Sequence, residues 1–271
     1  DMIEGNKHLR ILITGNQGYI GQHLSKWLFN HTDWDIHGLD KKDGFDLLGD
    51  RSIQHLDTYD CVIHLASLTG VRASHKIPHR YMEDNIKMTM RMLVLCREYN
   101  VPCLVASSSS VDELRSSYAY SKSAIEQICQ SYPYKHIARI FRPFTVYGHN
   151  IPDCYRSNML YGMIQNDRVP ETIYNATRDF THIDDVCSAI QLIALNRHIG
   201  SAERIYEIGY CSPITTKTFL ELHNIDTSKI SFTEPNHEYN ESHYTCASPS
   251  ALYKLGWAPL HISRHSSSNT Q

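Results

Sequence analysis

Tyr118 and Lys122 stand four residues apart in a stretch with helical apolar spacing. One turn separates them, so both fall on one face about 6 Å apart along the axis. A cation beside a phenol stabilises phenolate, which lets the tyrosine exchange a proton with a substrate hydroxyl near neutral pH. Four serines, Ser107 to Ser110, follow an apolar run at residues 103–106. A hydroxyl at the carboxyl end of such a strand is placed to donate to the oxygen that Tyr118 deprotonates. Others of the four serve a polar loop and a helix cap. Near the N-terminus, Gly15, Gly18 and Gly21 form GxxGxxG between a predicted strand at 9–14 and a predicted helix at 19–30. Glycines there let the backbone approach a pyrophosphate, and the helix N-terminus supplies N–H donors and positive dipole.

Asp40 ends a second apolar run, 35–39, and lies 19 residues after Gly21. That spacing suits the acid that accepts the adenosine ribose hydroxyls of a dinucleotide. A carboxylate there repels a 2′-phosphate, so NAD is expected over NADP, with Lys41 and Lys42 weighing the other way. Tyr19 and Ile20 within the glycine turn join the cofactor set. Asp46-Leu47 and Leu65-Ala66-Ser67 follow strand positions and are candidates for the adenine and ribose; as turn and strand-end residues they need no such role.

The elements that position these residues alternate. A strand at 59–66, a helix at 80–99, a strand at 103–107, a helix at 118–131 and a strand at 136–141 follow in order. Continuous apolar runs such as 59–66 suit strands covered on both faces, and alternation with helices implies a parallel sheet. The expected fold class is α/β, a Rossmann-type doubly wound parallel sheet with a smaller C-terminal substrate-binding lobe. Residues 1–147 are read as the cofactor domain, with 182–209 returning to it through a helix at 183–195 and a strand at 204–208. Pro152, Asp153, Asn166, Asp167 and Pro170 break the pattern after Gly148. Residues 148–181 and 210–263 are assigned to the substrate lobe and 264–271 to a polar tail.

Composition removes other classes. The chain has 271 residues, 41% hydrophobic and 20% charged, with a net charge of −3. There is no basic excess to condense on nucleic acid or an anionic membrane. Eight scattered cysteines without a CxxC pair read as reduced, buried thiols, and 17 histidines without HExxH give no reason to expect a metal. Apolar runs stop short of a membrane span and no secretory leader is visible, so a cytoplasmic protein is expected.

Beyond single motifs, ITGNQGYIG, DCVIHLAS, GVRASHKIPHRYMEDN, ASSSSV, YAYSK, RPFTVYG, RDFTHIDDV and LGWAP occur in that order. Together they resemble the extended short-chain dehydrogenase/reductases of the NAD-dependent nucleotide-sugar epimerase/dehydratase family. The segment from Gly70 to Asn85 and Phe144-Thr145-Val146-Tyr147-Gly148 are most similar to the UDP-glucuronate and related UDP-sugar epimerases. The resemblance implies Ser108 as hydroxyl partner, Tyr118 as acid/base and Lys122 as the ligand of the nicotinamide ribose. It also implies that Ser109 faces the sugar, that Thr145 stands near the sugar phosphate, and that Arg178 meets the diphosphate.

Several positions depart from the family pattern. Val111-Asp112-Glu113 replaces VYG, and Ser109-Ser110 stands where dehydratases carry Asp-Glu, which disfavours 4,6-dehydration. Residues 231–247 lack the family's second phosphate-binding arginine, leaving Arg72 or Arg156 as substitutes. The expected activity is a nucleotide-sugar 4-epimerase with bound NAD; the alternatives are a 4-keto-sugar reductase and a non-catalytic dinucleotide-binding scaffold. A homodimer is expected through the two helices that carry Met88, Met92, Leu95, Ile125 and Ile128, with core packing as the competing explanation.

Overall fold

Short apolar strands and the helices between them build the molecule in a computed structural model that describes residues 8–149, 171–198, 203–234 and 242–261. The first five strands are β1 (Arg10–Thr14), β2 (Asp35–Leu39), β3 (Cys61–His64), β4 (Cys103–Ala106) and β5 (Ala138–Pro143). Four short ones follow, β6 (Val146–Tyr147), β7 (Thr172–Tyr174), β8 (Thr177–Arg178) and β9 (Thr181–His182), before β10 (Ile205–Ile208). The main sheet runs β2-β1-β3-β4-β5-β10, all parallel. Its strand order turns between β1 and β3, and such a reversal opens a crevice beyond the carboxyl ends of the strands.

Side-chain alternation divides the sheet's two faces. Ile11 and Ile13 of β1 join one core with Leu24 and Leu28 of α1 (Tyr19–His31) and Ile190 and Ile193 of α5 (Ile183–Leu195). Leu12 points to the other, beneath α3 (Pro78–Glu98) and α4 (Ser117–Gln130). The short α2 (Val71–Lys76) leads into α3, whose first residue is Pro78, at a position where a missing N–H costs nothing. The dimer expectation rested on Met88, Met92, Leu95, Ile125 and Ile128. Met88, Met92 and Ile125 are buried in this second core, and Leu95 and Ile128 pack against it. Three of the five thus face the protein's own core, as the competing explanation has it, while Leu95 and Ile128 keep part of their surface exposed.

Beyond β5 a third cluster forms around Tyr147, Ile173, Phe180, Phe219, Leu220 and Ile230, with the Phe180 and Phe219 rings stacked at 3.9 Å. It includes α6 (Thr216–Leu222) and strand pairs too short to extend: β6 with β9, β8 with β11 (Ile214–Thr215), and β7 with β12 (Ser231–Thr233). From there the chain rejoins the main layers, α5 against α1 and β10 beside β5, while α7 (Ser250–Lys254) adds Leu252 to the first core.

Cysteine usage differs from the expected pattern of buried thiols. Cys61, Cys96, Cys103, Cys129 and Cys187 are buried, but Cys211 is exposed and Cys246 half-buried; Cys154 lies outside the described residues. Arg156, most of the 148–170 stretch and the 264–271 tail also lie outside them. Among the described residues, no helix is long and apolar enough to cross a membrane.

Candidate active site

The glycine turn is built by close backbone contact. Gly15 has φ 74°, and a β-carbon there would lie 2.7 Å from the Ala66 amide nitrogen. One at Gly21 would lie 2.2 Å from the Gly15 carbonyl oxygen, so only glycine lets α1 settle onto the turn. Gly18 caps α1 without a side-chain bond, leaving the helix N-terminus open to an anion. Asp40 stands at the end of β2. Its Oδ2 accepts from the Gln17 N–H at 3.0 Å and its Oδ1 from the Lys42 N–H at 2.9 Å, and the second lone pair on each oxygen suits ribose hydroxyls.

The neighbouring lysines are engaged elsewhere. Lys41 Nζ bonds Asp46 at 2.7 Å, which, with the Leu48 N–H, holds the Asp46 carboxyl below its ordinary pKa. Lys42 Nζ donates to the Gln17 carbonyl at 3.1 Å.

Beyond the glycine turn, buried polar groups brace the floor. His64 contacts Thr14 Oγ1 at 2.7 Å and Thr89 Oγ1 at 3.1 Å, and burial pushes its pKa down to about 3, so a neutral imidazole ties β1 and β3 to α3. Asn85 on α3 accepts from the Leu68 N–H at 2.7 Å. It donates to the Leu68 carbonyl at 3.0 Å and to Ser121 Oγ at 3.1 Å. One amide thus clamps the loop after β3 against both α3 and α4.

Ser116 caps α4 by accepting from the Ala119 N–H at 3.1 Å, which starts the helix just before Tyr118. Lys122, 3% exposed, donates to Ser67 Oγ at 3.1 Å and to the Ala106 carbonyl at 2.9 Å. Its ammonium lies 5.9 Å from the Tyr118 ring centre, and burial pulls its pKa down to about 8. Tyr81 meets the Tyr118 ring edge-on at 6.2 Å. Ser108 Oγ accepts from the Ser110 N–H at 3.2 Å and the Ser110 hydroxyl at 3.1 Å, which directs its own O–H outward as a donor.

Behind the serines, Arg142 of β5 grips Glu126 of α4 through two bonds of 2.7 Å. It also reaches Asp112 at 3.2 Å and Glu207 of β10 at 3.1 Å, while Ser107 donates to Glu126 at 2.5 Å. Sequence reasoning named neither this network nor Asn85, because each joins elements remote along the chain. Asn85 did close the family-like segment, but without a role.

Apart from Arg156, the residues predicted for the site line one cavity of roughly 970 Å³: Gly15, Gly18, Tyr19, Ile20, Gly21, Asp40, Asp46, Leu47, Leu65, Ala66 and Ser67 toward the glycine turn, and Ser108, Ser109, Tyr118, Lys122, Arg72, Thr145 and Arg178 beyond it. Arg115, Tyr244 and Thr245 line it too and carried no signal of their own. Arg178 donates to the carbonyls of Thr177 and Ser242. Away from the cavity, His182, Asp184 and His261 bring potential ligand atoms within 4.8 Å of one another, a grouping that the expectation of no metal did not foresee. The two imidazoles stack face to face at 3.8 Å, so their in-plane lone pairs run side by side instead of converging.

The sequence profile of the NAD dependent epimerase/dehydratase family matches residues 11–209. The chain belongs to that family. It is an NAD-dependent enzyme, and the residues around the glycine turn, Asp40 and Lys122 suit that cofactor. The chain is 29% identical to the UDP-glucuronate 4-epimerase of Thermodesulfobacterium geofontis over 264 residues, 78% of each protein. A variant of the UDP-glucuronic acid 4-epimerase from Bacillus cereus, solved with a UDP-sugar and NAD, superposes with a TM-score of 0.78 at 25% identity, covering 95% of this chain and 96% of that one. The dTDP-glucose 4,6-dehydratase of Streptomyces venezuelae shares the fold at a TM-score of 0.73 and 19% identity, covering 93% of this chain and 92% of that one. Family and fold therefore leave the choice of reaction to the residues beside Tyr118.

Proposed function

We propose that this family member is a nucleotide-sugar 4-epimerase acting on a UDP-sugar through a 4-keto intermediate. The observation that carries the reading is the Tyr118–Lys122 pair in the wall of a cavity that runs from the glycine turn to Arg178. NAD, held by the glycine turn, Asp40 and Lys122, would supply reversible hydride exchange at the sugar C4. Tyr118 Oη takes the proton of the C4 hydroxyl and gives it back, with the Lys122 cation favouring phenolate while the proton is away. Ser108 donates to the same oxygen. Asp112 and Glu113, the next acids along the chain after the serines, are paired with Arg142 and Arg115, and Glu126, which Ser107 meets, is paired with Arg142 as well. With serines at 109 and 110, neither position where a dehydratase carries its Asp-Glu pair holds an acid, and the acids just after them are held in ion pairs, which supports epimerisation. Ser109 and Thr145 are assigned to the sugar side, Arg178 and Arg72 to phosphate.

A panel of UDP-, GDP-, CDP- and dTDP-sugars, read by epimer separation and NADH absorbance, tests the reading. Interconversion of C4 epimers of a UDP-sugar without added cofactor is the expected result. Turnover confined to keto-sugars with added NADH would instead identify a reductase.

The engagement of Lys41 by Asp46 and of Lys42 by Gln17 leaves Asp40 to choose the dinucleotide. NAD is expected to bind at least about tenfold more tightly than NADP, the equivalent of 1.4 kcal/mol. Calorimetric titration with both decides the matter, and tighter NADP binding would overturn the role given to Asp40.

A further inference from the structure

Five of the described cysteines are buried in the cores on the two faces of the main sheet, whereas Cys211 and Cys246 meet at the rim of the smaller lobe. They lie 35 residues apart along the chain, yet their sulfurs are 3.8 Å apart, with the Cys246 S–H donating to Cys211 Sγ. Backbone contacts build this approach. Asp179 is fully buried, and its Oδ2 accepts from both the Cys211 N–H at 2.9 Å and the Ala247 N–H at 3.0 Å. Gly209 lets the two segments close, since a β-carbon there would lie 2.5 Å from that of Ala247. Cys211 itself holds φ 55°, a costly conformation for a residue with a side chain.

We propose that Cys211 and Cys246 form a reversible disulfide that pins one wall of the substrate cavity under oxidising conditions. Cys246 lines that cavity beside Tyr244 and Thr245, and Ser242 at the start of the same segment receives Arg178. The oxidant is a peroxide. The exposed Cys211 thiolate attacks one peroxide oxygen, forming an S–O bond as the O–O bond breaks, and the departing hydroxide takes a proton to become water. The Cys246 sulfur then displaces the oxygen of the sulfenic acid, giving up its own proton; the S–S bond forms and a second water leaves. Two thiols are oxidised and one peroxide is reduced to two waters. A small thiol reverses the bond by exchange. The order follows from exposure, because burial and its contact with Cys211 push the Cys246 thiol up to about 11. Bond formation needs the sulfurs to approach by roughly 2 Å.

The test treats the whole protein with equimolar hydrogen peroxide and maps the peptides without reduction. One linked pair containing Cys211 and Cys246 is expected, lighter by two hydrogens and restored by dithiothreitol. The thermal midpoint of the oxidised protein rises by roughly 5 to 10 °C, and hydrogen exchange of amides 242–247 slows at least about tenfold. In Cys246→Ser neither change occurs, and Cys211 stops at the sulfenic acid. A link to Cys154 or another cysteine, no link, unchanged exchange, or a peroxide-induced shift that survives in Cys246→Ser would each overturn the proposal. Formation of this bond is read independently of which sugar the enzyme turns over.

Discussion

Tyr118→Phe is expected to lower kcat for the proposed C4 epimerisation by about 10²- to 10⁴-fold while NAD affinity changes little. The substitution deletes one oxygen and keeps the ring, so the contact with Tyr81 and the position beneath Lys122 persist. What is lost is the group proposed to carry the substrate proton, and general acid–base catalysis accounts for a factor of that size. Tyr120 cannot stand in: it is 51% exposed and does not line the cavity. Lys122→Ala has a broader effect, leaving Ser67 Oγ and the Ala106 carbonyl without their donor and weakening both cofactor binding and turnover. Steady-state kinetics beside NAD titration separates the two variants. Turnover of Tyr118→Phe within tenfold of wild type would remove the tyrosine from the mechanism.

Asp179→Asn is expected to destabilise the protein by about 2–6 kcal/mol, although it alters no cavity-lining side chain. The carboxylate accepts from the Tyr210 N–H through Oδ1 and from the Cys211 and Ala247 N–H groups through Oδ2. Burial pushes its pKa up, and these backbone donors pull the other way. Asparagine keeps one acceptor but turns an NH₂ group toward two N–H donors, leaving both without partners in a dry site, at about 1–3 kcal/mol each. Denaturant unfolding measures the difference. A loss below about 1 kcal/mol would mean that water replaces the carboxylate and that Asp179 does not hold the two segments together.

Legibility in the sequence followed the range of the interactions involved. The continuous apolar run around Val62 could be read because a strand covered on both faces has no polar side to show. Tyr118 and Lys122, like the three glycines, could be read because one helical turn and one tight turn fix their spacing locally. The 3% exposure of Lys122 could not, since a lysine on an amphipathic helix looks solvated until the loop carrying Ser67 and the end of β4 at Ala106 are seen to cover it. Met88, Met92 and Ile125 show the limit of periodicity: a helical stripe announces that a face is covered, not by what. Arg142 draws its carboxylates from a helix, a 3-10 turn and a distant strand, which no window of sequence contains. The smaller lobe was hardest to resolve because strands of two or three residues are too short for alternation to register.

During synthesis the ribosome delivers β1 to β5 well before β10. Until Ile205–Ile208 emerges, β5 has a bare edge: the Ile140 N–H lacks the Arg204 carbonyl it meets at 2.8 Å, and Arg142 lacks Glu207. An apolar strand with one open side is a template for pairing with another nascent chain. The long detour through the smaller lobe therefore sets a window in which the growing polypeptide is most exposed to aggregation, and holdase chaperones acting on this protein would have their most useful target there.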